Sequence, residues 1–150
     1  MTAETPDVEV NIPPRPEYVG VVRHLMGAVA RLGGHTPEFV ENAKLAGSEA
    51  STNAVTMSGR AGSDKSVEVR AQLDEKTLEI WVVDGGSYEE ATAPEVAQPD
   101  ALDVPFDRGL SIPLLEGLVD KLEVSPREGG GTVVHMTLIG NDDWEEEEGI

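Results

Sequence analysis

The stretch from Thr36 to Ser58, TPEFVENAKLAGSEASTNAVTMS, constrains the fold more than any other part of the chain. It keeps helical periodicity unbroken for about six turns. Apolar Phe39, Ala43, Ala46, Ala50, Ala54 and Met57 recur at steps of three or four, so one stripe must meet a core. Thr36 suits the N-cap, Pro37 the first helical position and Glu38 the first turn, where a carboxylate meets the positive end of the helix dipole. Glu49 and Asn53 lie four apart, on one face beside the apolar stripe. Two readings fit them: a pair lining a cleft, or a solvated Glu and an ordinary polar Asn.

Elements on either side supply the rest of the architecture. Val8, Val10 and Ile12 alternate with polar residues as in a strand, and the segment stops at Pro13, Pro14 and Pro16. A first helix is predicted from about Glu17 to Leu32, with Tyr18, Val22, Leu25, Val29 and Leu32 on one stripe and Gly33-Gly34 closing it. Ser66 to Leu73 and Thr77 to Asp84 alternate with period two around a short turn, which predicts an antiparallel hairpin. Gly85-Gly86 ends it. Residues Ser87 to Asp107, with Pro94, Pro99 and Pro105, show little periodicity; a loop that long is either functional or an insertion.

Helical spacing resumes from Gly109 through Leu110, Leu114, Leu115 and Leu118. LEVSPRE and TVVHMTLI then read as a second hairpin. The expectation is an α+β, two-layer sandwich: a mixed, mostly antiparallel sheet of about five strands with three helices on one face. Residues 1–7 read as a disordered lead, 8–140 as one domain and 141–150, with six acids around Trp144, as a solvated acidic tail.

Composition removes several classes of function. The 29 acidic and 11 basic residues give a net charge of −18, which repels phosphate backbones and anionic lipid, so the expected partner is a protein with a basic face and not nucleic acid. With no cysteine, disulfides and thiolate chemistry are excluded. No apolar run approaches the roughly 20 residues of a membrane span, and the start lacks a basic patch before an apolar run, so no membrane association and a cytoplasmic location are expected. His24, His35 and His135 are scattered without ligand spacing and read as surface or core residues.

Four segments, in order and on the expected elements, carry a resemblance: KLAGSEASTNAV (Lys44 to Val55), VVDGGSY (Val82 to Tyr88), DRGLSIPLLEGLVDKLEV (Asp107 to Val124) and GGTVVHMTL (Gly130 to Leu138). Together they resemble the boxes of the GHKL, or Bergerat-fold, ATPases with their histidine-kinase-like fold. The short chain is similar to the anti-sigma factor serine kinases of the RsbW type. The resemblance implies an ATP-binding anti-sigma factor with serine/threonine kinase activity toward an anti-sigma antagonist of the STAS type. It also implies a homodimer that binds a sigma factor.

Residue by residue, the resemblance implies that Asn53 orients Mg²⁺ on the phosphates and that Glu49 is the general base. Asp84 would accept from the adenine amino group, Gly86 would let the backbone pass close to the base, and Thr132 would place a hydroxyl at the same pocket. Arg108 and Gly109, with Leu110 beside them, would hold phosphates at a helix start, and the loop from Ser87 to Asp107 would be an ATP lid. The chain departs from the family pattern at Tyr88, Asp107 and Ser111, and Met57 stands where a His is usual. An alternative reading follows: a non-catalytic binding module on the same fold that sequesters a protein partner.

Overall fold

A computed structural model describes residues 7–60, 62–84, 112–127 and 130–140 of the chain. Strand β1 (Val8–Ile12) is followed by one 3-10 turn (Pro16–Tyr18), then helices α1 (Val19–Leu32) and α2 (Pro37–Arg60). The β2 (Val67–Leu73) and β3 (Thr77–Val83) hairpin comes next. Residues 112–118 form a third helix, α3. The hairpin of β4 (Lys121–Pro126) and β5 (Thr132–Ile139) completes the described fold. Each element lies within a few residues of its predicted position.

The five strands are ordered β1-β2-β3-β5-β4, and every pairing is antiparallel, where the sequence reading allowed a mixed sheet. The order follows from side chains. β5 presents Val134, Met136 and Leu138 to the core and sits inside the sheet, whereas β4 is mostly exposed and ends in Pro126, which lacks the N–H an interior strand needs. Asp7, the last residue of the expected lead, is already tied to β2: its N–H donates to the Ala71 carbonyl at 3.0 Å, and its carboxylate accepts from Leu73 N–H at 2.6 Å.

Both long helices and Leu115 of α3 join one core cluster with the inward residues of β2, β3 and β5, so helices cover one face of the sheet. α1 and α2 lie close together because Gly47 leaves room: a Cβ there would fall 2.6 Å from Met26 Cγ. Among the described residues, no helix is long and apolar enough to cross a membrane.

His35 stands at the corner where α1, α2 and the sheet meet. Its ring stacks on Phe39 with centroids 3.7 Å apart, and Gly33 and Gly140 are so near it that a Cβ on either would come within 3 Å of the imidazole. Burial pushes its pKa down from the ordinary value.

Candidate active site

α2 carries the predicted chemistry and is held at its start by its own sequence. Phe39 N–H donates to Thr36 Oγ1 at 3.1 Å, the N-cap expected from the residue order, with Pro37 in the first turn. Ala43, Ala46, Ala50 and Ala54 are buried, so small side chains bring the helix close to the sheet. Glu49 and Asn53 are both half-buried, on the edge between that stripe and solvent. This is the position the four-residue spacing predicts.

The first turns of α2 lie beside the far end of β5. There Thr36, Phe39 and Asn42 share a cavity of about 230 Å³ with Leu118, Asp120 and Gly140. None of the predicted site residues lines it. α2 crosses β3 and β5, so its later turns run away from that cavity, and Glu49 lies about 10 Å further along the helix than Asn42. The opposite end of these strands is where β3 stops and β5 begins.

That end holds Asp84 and Thr132. Asp84 is the residue after β3 and only 3% exposed, and its N–H donates to the Thr132 carbonyl at 3.0 Å. Thr132 opens β5 after Gly130 and Gly131, whose φ values of 120° and 93° lie in the left-handed region that favours glycine. Arg127 N–H donates to the Gly131 carbonyl at 2.9 Å, and Gly130 N–H to the Arg127 carbonyl at 2.9 Å, which closes the turn. Two strand ends and a glycine turn therefore bring Asp84 and Thr132 together, although 48 residues separate them in the chain. Gly86, Arg108, Gly109 and Leu110, like Tyr88, Asp107 and Ser111, lie outside the described residues.

The donor set bears on the metal. Among the described residues there is no group of three or more His, Asp or Glu side chains that would hold an ion alone. A single amide oxygen from Asn53 suits Mg²⁺, which binds nucleotide phosphates and keeps several of its waters in preference to an all-protein cage. Gly47 is the contributor that sequence reading passed over. Its signal was present in the small residues spaced by three and four through Ala43, Gly47, Ala50 and Ala54.

Comparison with known proteins bears on the family and the fold. The model of the histidine kinase-like ATPase domain matches residues 12–138. A serine-protein kinase RsbW of Bacillus pumilus is 39% identical, the match covering 92% of this chain and 89% of that protein. RsbW of Bacillus subtilis is 32% identical, covering 89% and 93%. The fold is similar to that of the RsbU and RsbW domains of a Mycobacterium tuberculosis protein, with a TM-score of 0.64 and 18% identity over 91% of this chain and 32% of that one. It is also similar to a chain in the SiaB-SiaC complex of Pseudomonas aeruginosa, with a TM-score of 0.63 and 10% identity over 92% of both. Box order, the Asp84–Thr132 junction and these similarities lead to one assignment: the chain belongs to the histidine kinase-like ATPase domain family, among relatives of the RsbW serine-protein kinases.

Proposed function

We propose that the chain is an ATP-dependent protein serine/threonine kinase and anti-sigma factor: it binds a sigma factor and phosphorylates an antagonist of the STAS type. It would work as a cytoplasmic homodimer with no nucleic acid or membrane ligand, within the single domain of residues 8–140. The observation that supports the reading is buried Asp84, joined through its backbone to Thr132 where β3 stops and β5 begins. A carboxylate only accepts hydrogen bonds, which is the chemistry that an adenine amino group asks of its partner.

Each remaining residue then has a separate task. Glu49 would take the proton from the antagonist's serine hydroxyl as that oxygen attacks the γ-phosphorus and ADP leaves with the bridging oxygen. Asn53 would offer its amide oxygen to Mg²⁺, which neutralises phosphate charge when bound. Gly86 would pass close to the base, and Arg108, Gly109 and Leu110 would close on the phosphates. The net charge of −18 supports a partner with a basic surface.

Paired variants test this reading. Glu49→Gln should lower phosphate transfer by about 10² to 10⁴ while leaving ATP affinity near that of the parent, because a general base acts on rate. Asp84→Asn should weaken ATP binding itself. Measured by ATP titration and by phosphorylation of an antagonist serine, equal loss of affinity in both variants would remove Glu49 from the role of base. A parent that binds no ATP at millimolar concentration would favour the binding-module reading, with Tyr88, Asp107 and Ser111 as its cause.

A further inference from the structure

The cavity of about 230 Å³ beside the first turns of α2 has no part in the nucleotide site. Phe39 and Leu138 are buried and Leu118 is half-buried, so its interior is apolar. Glu38 and Asp120 are exposed and stand at its mouth, with Asn42 one turn after Glu38 on the same side of α2. The lining holds no Lys, Arg or His, and its two charged residues are both acids.

Its walls are fixed by bonds that need no ligand. The Phe39 ring stacks on His35 with centroids 3.7 Å apart. Asp120 N–H donates to the Thr137 carbonyl at 2.8 Å, while its carboxylate accepts from Ile139 N–H at 2.6 Å. Gly140 N–H donates to the Lys76 carbonyl at 2.6 Å. A hollow held open in this way is what a small-molecule site requires, since such sites are usually formed before the ligand arrives.

We infer that this cavity is a second ligand site, for a small organic cation: a primary amine on a short apolar body. An ammonium group has three N–H donors and no acceptor, and Glu38, Asp120 and Asn42 each offer oxygen. A carboxylate has about four lone-pair sites, so Asp120 can hold Ile139 and still accept from a ligand. Anions are excluded by the two acids and by the net charge of −18. A bare metal ion would leave the apolar interior unused. Size sets the rest, because an apolar cavity of about 150 Å³ admits benzene, so about 230 Å³ admits roughly nine non-hydrogen atoms. Nothing in this site depends on nucleotide binding at Asp84.

The test titrates phenethylamine, an amine of that size, into the full chain and follows backbone amide resonances. The amides of Asn42, Gly117 and Gly140 should shift, with a Kd of about 1 mM or tighter. 2-Phenylethanol, which replaces the ammonium by a hydroxyl, should bind about tenfold more weakly, and phenylacetate should not bind. Glu38→Gln and Asp120→Asn should each weaken the amine severalfold and leave 2-phenylethanol unchanged. Asn at 120 keeps an oxygen for Ile139 N–H, and Glu38→Gln, in the exposed first turn of α2, carries the result if Asp120→Asn disturbs the strand end.

No shift at about 10 mM amine would overturn the site. Equal affinity for amine and alcohol, or an amine indifferent to Glu38→Gln, would show that the acids do not read the charge and would overturn the ligand class. Shifts centred on Asp84 and Thr132, lost when ATP is added, would place the amine in the nucleotide site and overturn the inference while leaving the kinase reading intact.

Discussion

The two faces of the sheet are built from the same strands with the same period of two, yet they answer to different demands. Val67, Val69, Ala71, Leu78, Ile80, Val82, Val134, Met136 and Leu138 turn inward and are all buried. Their sequence neighbours Glu68, Arg70, Glu79, Trp81 and His135 turn outward and form an ion pair, a hydrogen bond and one ring stack. Burial of apolar area explains the first set. It does not explain a Trp flanked by charged residues in register on a surface that holds no core. The inward face fixes how the helices sit, and so where Asp84 and Glu49 lie, while the outward face is held by side-chain pairs within and between strands.

Adjacent residues make the sharpest test of that division. Ile80 is fully buried and Trp81, the next residue, faces out. Ile80→Ala should cost about 2–5 kcal/mol in urea unfolding, through lost transfer energy and a cavity. Trp81→Ala should cost about 1 kcal/mol or less, the size of one cross-strand pair, when measured at a protein concentration low enough to melt the protomer. Equal costs would mean that the outward stack is part of what holds the protomer together.

The same contrast holds within α2, with a smaller expected effect. At Gly47 an added methyl meets Met26 Cγ at 2.6 Å, whereas at Gly59 it meets nothing within 4 Å. Gly47→Ala should therefore destabilise by about 1–3 kcal/mol through overpacking. Gly59→Ala should stabilise by up to about 1 kcal/mol, since alanine is the better helix former and the site is exposed. Thermal melts of the two variants should move in opposite directions. A Gly47→Ala protein as stable as the parent would show that α1 can retreat and that the close contact does not set the position of Glu49.

What could be read from the sequence is what short-range physics decides. Thr36, Pro37 and the alanine stripe specify α2, and strict alternation around Asp74 to Lys76 specifies the first hairpin. The placement of Glu49 and Asn53 on a half-buried edge follows from spacing alone. Strand order does not, because the choice of β5 over β4 as neighbour to β3 is a long-range pairing. The Asp84–Thr132 junction was legible only as two separate strand ends, each next to glycines, and their meeting depends on that same pairing. His135 read as one of several scattered histidines; its register with Trp81 and Glu123 exists only once the sheet has formed. Gly47 belongs to a small-residue spacing visible in the sequence, but which neighbour it makes room for shows only once α1 packs against it.

The smallest effect belongs to His35, which sequence reading placed among ordinary core or surface histidines. Its Nε2 is buried with no hydrogen-bond partner among the described residues, and the ring stacks on Phe39 between Gly33 and Gly140. Burial disfavours the imidazolium, so the folded pKa lies below the unfolded value near 6.5. The unfolded chain then binds the proton more readily. The stability that neutral His35 contributes is fully present above the unfolded pKa and declines as pH falls through it toward the folded value. His35→Phe keeps an aromatic ring on Phe39 and removes the titration. From pH 7.5 to 5.5 the melting temperature of the parent should therefore fall more than that of His35→Phe. Parallel pH profiles would show that the ring can leave its corner to be hydrated, and that this corner yields more readily than the inward face of the sheet it adjoins.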